Sequence, residues 1–479
     1  MTVYPLPWWE RERERGKIRI NNRLRNSEKF KKVHFVGIGG AGLSGMARVL
    51  YEMGYEVSGS DIKKSHNTER LKMFGIDVKI GHLSKNVIGK DILVISTAIP
   101  EDNCEVKAAN ELKIDIWSRA KMLEWILSHG KAIAISGTHG KTTTTSMIAL
   151  LLEWENFKPT ILVGGELNDI GSNAKFGEGE YFVVEADESD GTFIQITPEI
   201  AVVTNVEDDH LDYYKSKKEI EKAFNKFVNG VTPTGLAVIN GDDPCLINMM
   251  NKINSRYITY GLDERNDVRA KDIKIDELKS EFLVQLRDEQ FRVQLKIPGE
   301  HNIYNALATI SVGKYLGISS DRISFTLSQF VGAQRRFDVL GNPQGVTIVD
   351  DYAHHPTEIS ATLKAANAKK HNRIISVFQP HRYTRTNLLY EKFGNCFEYA
   401  DLCLITEIYP AGENPIPGVT SKLIVKSILK KNNRKQVVYL PQKKDLTYYL
   451  LKNVESNDVV VVMGAGDINT IAYDLLEKL

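Results

Sequence analysis

The sequence predicts an α/β fold in three domains, and three observations predict it. The first is length: 479 residues exceed what one hydrophobic core organises, and at roughly 150 residues per domain the chain divides into about three. The second is rhythm, because short apolar runs of strand type alternate with segments of helical period along the whole chain. The third is where those runs end. Nearly every one drops into a glycine-rich or charged loop, as strands do at the ligand edge of a parallel sheet.

The first segment opens on Val33 to Val36, followed by GIGGAGLSGMARVLYEMGYEVSGSD. Gly37, Gly39 and Gly42 form G-x-G-x-x-G between a strand and a helix, and Asp61 closes a second strand 19 residues after Gly42. Such glycines allow a tight turn and close backbone approach, and the helix start they lead into favours a pyrophosphate. Glycines kept only for close helix–strand packing are the alternative. A strand near 92–96 and helices near 104–112 and 119–128 continue the pattern, giving an N-terminal Rossmann-like domain over 33–130.

The second segment, 131–334, begins with AIAISGTHGKTTTT, a strand falling into a phosphate loop two residues shorter than G-x-x-x-x-G-K-[ST]. The backbone amides of Gly137, Thr138, His139, Gly140, Lys141, Thr142 and Thr143 can cradle phosphates. Lys141 can neutralise phosphate charge, and Thr142 can offer its hydroxyl to Mg²⁺. Two further strands end in EADESDG and TNVEDDHLD. Glu185 stands where a strand stops, a position suited to an acid that holds a hard cation through oxygen. His210, beside three carboxylates, is a candidate second-metal ligand or phosphate contact. In IPGEHNIYNALATI, His301, Asn302 and Asn305 precede or open an alanine-rich helix. The segment reads as a central P-loop ATPase domain of α/β type.

The third segment, 335–479, carries four more strands, which run into DDYAHHP, QPHRYTRT, TEIYPAGENPIPG and GAGDINT. This predicts a C-terminal Rossmann-like domain with a functional upper edge. Arg382 and Arg385 both follow a strand, beside His381, where forked guanidinium donors suit carboxylates. Either ring of His354-His355 could face the site.

Composition excludes several classes. Apolar content is 42%, charged content 26% and net charge +1, so no global field draws the chain to nucleic acid or an acidic membrane surface. The four cysteines, Cys104, Cys245, Cys396 and Cys403, have no C-x-x-C spacing and read as reduced thiols of a cytoplasmic protein. No apolar run is long enough to span a bilayer, so no membrane insertion is expected. Residues 1–32 form a charged leader without a motif, and removing residues 1–30 is expected to leave catalysis near normal.

Taken together, GTHGKTTT, EADESD, TNVEDDHLD and GEHNIYNALA resemble the Mur ligases of peptidoglycan synthesis, and the resemblance runs from about Val33 to the C-terminus. It implies three domains that take a UDP-sugar, ATP and an amino acid in turn. It also implies that a carboxylate attacks the γ-phosphate of ATP, and that an amine then displaces phosphate from the acyl phosphate. DDYAHHPTEI, FQPHRYTRT and YPAGENPIPG, with GIGGAGLSG, narrow the resemblance to the branch joining L-alanine to UDP-N-acetylmuramate. The nearest rival attaches a preformed tripeptide to the same sugar. A nicotinamide dehydrogenase would not need Lys141, Thr142 and Glu185, and a nucleotide switch would not need a UDP-sugar site.

By position, the resemblance implies that Thr142 and Glu185 bind one Mg²⁺ and His210 a second. Asn302 and Asn305 would contact adenine, and Arg335 or Arg336 with Asp351 would reach ATP from the domain junction. Tyr352, His354, His355, His381, Arg382 and Arg385 would face the muramic carboxylate and the amino acid, while the Gly37 loop and Asp61 would serve the UDP-sugar. Some relatives carry a carbamylated lysine about 15 residues past the metal histidine. That place is Asn225 here, so no modified lysine is expected.

Overall fold

The computed structural model describes residues 30–167, 172–189, 191–207, 211–276, 279–332, 337–367, 371–411 and 413–479. The chain separates into two compact units, Met1–Leu123 and Glu124–Leu479. His210, Arg335 and Arg336 lie outside the described residues.

The first unit holds a wholly parallel sheet of β1 (Lys32–Val36), β2 (Glu56–Asp61), β3 (Asp77–Ile80), β4 (Ile92–Ile95) and β5 (Asp115–Ser118). Its spatial order, β3-β2-β1-β4-β5, puts β1 where the winding reverses. The loop leaving β1 therefore opens at the crevice of the sheet, ahead of helix α1 (Ala41–Glu52). Val36 and Leu93 pack with Val106 and Ala109 from the helix that follows β4.

Ordered packing begins before the first strand. Phe30 is buried at 8% exposure, with its ring 5.5 Å from Tyr55 and 5.3 Å from Trp117. The amides of Lys31 and Lys32 both donate to Asp91 at 2.8 Å. A truncation through residue 30 would therefore remove a core ring that sequence pattern had left in the leader. Phe30→Ala should cost about 3–5 kcal/mol, the usual loss for a buried ring. Urea unfolding would read it, and an unchanged midpoint would show that the ring is not structural.

The second unit holds two sheets. The larger has ten strands: β6 (Lys131–Ser136), β7 (Thr160–Leu167), β8 (Ser172–Lys175), β9 (Tyr181–Glu185), β10 (Ile200–Val203), β11 (Leu236–Asn240), β12 (Tyr257–Gly261), β13 (Val268–Ile275), β14 (Ser280–Gln285) and β15 (Gln290–Leu295). β6 lies between β9 and β10, parallel to both. This is the reversal point of the winding, so the ends of three strands share one crevice. β13, β14 and β15 pair antiparallel and extend the sheet on one side. In β14, Ser280, Phe282 and Val284 are buried and the residues between them are not, the period-two pattern of a one-faced strand. Helix α2 (Lys141–Trp154) follows β6, and α3 (Glu300–Tyr315) packs against α2.

The third sheet comprises β16 (Asp338–Gly341), β17 (Thr347–Asp351), β18 (Ile374–Phe378), β19 (Leu402–Ile405), β20 (Gln436–Tyr439) and β21 (Val459–Met463), in the order β16-β17-β21-β18-β19-β20. All pairs are parallel except β16 with β17. Val459, Val461 and Met463 join one core, and Val460 and Val462 the other. Both faces are covered, which is why this strand is an unbroken apolar run rather than an alternating one. Helices α4 (Pro356–Asn367) and α5 (Tyr383–Phe393) start just beyond β17 and β18.

Candidate active site

The phosphate loop is shaped by its neighbours. Gly137 (φ +134°) and Gly140 (φ +80°) adopt backbone conformations that L side chains rarely take. A Cβ on Gly137 would lie 2.1 Å from Thr204 Oγ1, and one on Gly140 would lie 2.5 Å from Asn305 Oδ1. The segment after β10 grips the loop: Thr138 N donates to Asn205 O (3.1 Å), His139 N to Asn205 Oδ1 (2.9 Å), and Thr204 Oγ1 to His139 O (2.5 Å). Since Asn205 already engages the Thr138 and His139 amides, the cradle falls to the first turn of α2. There the amides of Lys141, Thr142 and Thr143 precede the first intrahelical acceptor.

Lys141 is held inside the loop. Its Nζ donates to Gly137 O at 2.6 Å and lies 2.8–2.9 Å from both oxygens of Glu188. Burial works against its charge, yet Glu188, Asp187 and Glu185 outweigh that and hold its pKa well above the ordinary lysine value. Burial, with repulsion from Asp187, pushes Glu188 up to about 7 against the pull of Lys141. Glu188, the third acid of EADESD, thus occupies the cation that a phosphate would use, and sequence reading passed over it. Thr142 Oγ1 donates to Glu185 Oε2 at 3.0 Å, so the hydroxyl and the strand-end carboxylate meet.

A cavity of about 230 Å³ opens beside the loop. Among its lining residues are His139, Asn302, Asn305, Tyr260, Tyr304 and Asp351. Asn305 accepts from Thr144 Oγ1 (3.1 Å) and donates to Asn302 Oδ1 (3.3 Å), while Asn302 donates to Pro298 O (2.8 Å). Asp351 also lines the cavity, but its two oxygens are committed to backbone amides, those of Phe337 and Ala353, both at 2.7 Å. It acts first as a clamp on the chain entering the third sheet.

The histidine pair after β17 divides. His355 is buried, with its ring 4.9 Å from that of His139 on the phosphate loop. His354 turns the other way, its ring 5.4 Å from Tyr352 and 5.7 Å from His381. Burial first, then His354, Arg385 and Arg382, bring His381 down to about 3, so the ring is neutral at ordinary pH. Arg385 Nη1 lies 3.4 Å from His381 Nδ1, and His381 stacks on Tyr409. Arg382 holds φ +71° at the start of α5, fixed by its amide donating to Tyr409 O at 2.9 Å.

His139 stands between two carboxylates, with Nδ1 3.1 Å from Glu358 and Nε2 3.5 Å from Glu207. Burial pulls its pKa down, but the two acids more than reverse this, to about 9 from 6.5. Burial raises Glu207, yet His139 and Thr357 bring it to about 2 from 4.5. A raised histidine stabilises fully below pH 6.5 and loses that contribution as pH climbs through 9, whereas the lowered acid loses its own only as pH falls below 4.5. Nucleotide-free protein should therefore lose thermal stability from pH 6.5 to 9, and His139→Gln should flatten that slope. An identical slope in the variant would assign it elsewhere.

In the first unit, Gly37 N and Ile38 N donate to Ser60 O, and Gly39 N donates to Asp61 Oδ2 at 2.9 Å. Asp61 thus closes the glycine loop. A Cβ on Gly42 would meet Arg119 Nη1 at 3.1 Å. Behind the loop, buried Glu105 accepts from Ser60 Oγ (2.5 Å), Asn86 Nδ2 (2.6 Å) and Leu83 N (3.2 Å). Burial works against its charge, but His34, Ser60 and Asn86 hold it down at about 2. Nothing in the local sequence around Glu105 announced this network, because its partners come from three other segments.

Known proteins match these three parts in order. Residues 32–131 match the Mur ligase family catalytic domain, 135–313 the Mur ligase middle domain, and 335–466 the Mur ligase glutamate ligase domain. A UDP-N-acetylmuramate–L-alanine ligase of Desulforamulus reducens is 46% identical over 94% of this chain and 98% of its own length. Among solved structures, the UDP-N-acetylmuramate–alanine ligase of Thermotoga maritima superposes with a TM-score of 0.80 at 29% identity, covering 93% of this chain and 98% of that one. A murein peptide ligase of Psychrobacter arcticus shares the fold, with a TM-score of 0.71 at 23% identity over 93% of this chain and 98% of that one. The shortened loop after β6 falls at the start of the middle-domain match, and with identity sustained along nearly the whole chain, the protein belongs to the Mur ligase family.

Proposed function

We propose that the protein is an ATP-dependent ligase that joins L-alanine to the carboxylate of UDP-N-acetylmuramate through an acyl phosphate, in the cytoplasm. The observation that carries this reading is the 46% and 44% identity to alanine-adding ligases over 94% and 96% of the chain. The tripeptide-attaching alternative is represented by two structural neighbours, one at 23% identity and one at 30% over 64% of this chain, against 46% identity over 94% of the chain for an alanine-adding relative. Among the described residues no helix is long and apolar enough to cross a membrane.

In this reading, residues 33–130 take the UDP-sugar, 131–334 the ATP and 335–479 the amino acid. Phosphorylation turns a poor electrophile, the muramic carboxylate, into one with a good leaving group. The chain's part is positioning and charge neutralisation. Lys141 exchanges Glu188 for phosphate oxygens, and Asn302 and Asn305 offer amide donors and acceptors to the adenine edge. Asp351 holds the strand end beneath the nucleotide, and Arg335 or Arg336 would reach ATP with it from the domain junction. Thr142 and Glu185 supply oxygen donors side by side, which fits Mg²⁺, and His210 would add a ligand for a second ion. Bound Mg²⁺ would neutralise charge on the phosphate oxygens. Tyr352, His354, His355, His381, Arg382 and Arg385 receive the two carboxylate-bearing substrates. The neutral His381 ring leaves the guanidiniums as the cations there. Gly37, Gly39, Gly42 and Asp61 form the UDP-sugar loop.

The test is phosphate release with UDP-N-acetylmuramate against single amino acids and the tripeptide. Release that requires the sugar and is fastest with alanine is expected. Release that follows the tripeptide instead would move the protein to the other branch.

A further inference from the structure

Where the phosphate loop meets the third sheet, two imidazoles and one carboxylate converge. We propose that His139, Glu207 and His355 form a site for one divalent cation of the zinc class, built from residues other than the Thr142–Glu185 oxygen pair. This inference does not depend on the identity of the ligase substrates.

Geometry supports it first. One ligand atom from each of the three residues lies within 4.8 Å of the others. Glu207 Oε1 is 3.5 Å from His139 Nε2, and its Oε2 is 3.8 Å from His355 Nδ1. Ligands held at about 2.0–2.1 Å around a tetrahedral ion stand roughly 3.3 Å apart, so both pairs need to tighten only by small side-chain rotations. Donor chemistry comes second. Two imidazoles and one carboxylate, with a fourth position for water, suit zinc-class ions, whereas Mg²⁺ prefers an all-oxygen octahedron.

The surroundings provide a third argument. Glu358 Oε1 bonds His139 Nδ1, which directs Nε2 toward Glu207, the carboxylate–histidine arrangement that orients metal ligands. Glu358 is itself fixed, because its second oxygen accepts from the amides of His354 (2.9 Å) and His355 (3.1 Å). Thr357 Oγ1 donates to Glu207 Oε2 at 2.7 Å. Each ligand enters from a different strand end: His139 follows β6, Glu207 follows β10 and His355 follows β17. An ion here ties the phosphate loop to the amino-acid domain and displaces the proton that His139 shares with its two acids.

The experiment titrates full-length, nucleotide-free protein with ZnCl₂ by calorimetry in excess Mg²⁺, then repeats the titration with CoCl₂ and records visible spectra. One saturable event per chain is expected, with the intense visible bands of tetrahedral Co²⁺. His355→Ala and His139→Gln should each weaken Zn²⁺ binding by about 100-fold or more, with a matching loss in the shape-conserving Glu207→Gln. Folding of each variant is verified by its circular dichroism. Three results would overturn the site: no saturable binding in excess Mg²⁺, Co²⁺ with the weak spectrum of an octahedral ion, or unchanged affinity in folded variants, which would place zinc on a thiol such as Cys104.

Discussion

Lys141→Met should lower ligation by about three orders of magnitude or more while the protein stays folded. Single preorganised donors to developing negative charge are worth roughly 10²–10³ in rate, and this one also carries a full charge. The fold should survive because the partner left behind, Glu188, already titrates near 7 and can take up a proton instead of remaining a buried anion. Turnover at saturating ATP and Mg²⁺, beside a urea melt, is the measurement. Near-normal turnover would dismiss the phosphate-site assignment, and an unfolded variant would show the Lys141–Glu188 pair to be structural first.

That pair marks the boundary of what the sequence made readable. The loop, the strand ends and the Asn302–Asn305 helix were visible because each is a local pattern: an apolar run, a glycine, a polar residue at the break. Glu185 could be named because it ends a strand. Glu188 could not, since choosing among the acids of EADESD depends on how that turn folds over the loop. The same holds for His139 with Glu358, which are 219 residues apart and belong to different sheets. Their contact follows from packing that no local period encodes. The β13–β15 extension is hard to read for another reason: β13 carries Arg269, Lys271, Asp272 and Lys274, and the open face of β15 is polar, with Gln290, Arg292 and Gln294 exposed. Phe30 was missed because a single ring in a charged stretch has no period at all.

Arg385→Ala should separate the two half-reactions. The guanidinium leans on neutral His381, away from the phosphate loop in sequence and on a different sheet, so a carboxylate of the incoming alanine is its natural partner. Losing one member of a buried charge pair typically costs about 2–5 kcal/mol, so ligation should fall by roughly 30-fold or more. Isotope exchange within ATP, run with UDP-N-acetylmuramate and no amino acid, should remain close to that of the unmodified enzyme. Equal losses in both assays would reassign Arg385 to the muramic carboxylate or the γ-phosphate.

The corner formed by Asn302 and Asn305 has a consequence for inhibitors. Asn305 accepts the hydroxyl of Thr144 and leaves no room for a side chain at Gly140, so the wall of the cavity beside the loop and the bend of the loop are one piece. A compound anchored on that wall would press on residues whose replacement also disturbs the grip on phosphate. Escape by mutation there would carry a catalytic handicap from the first step.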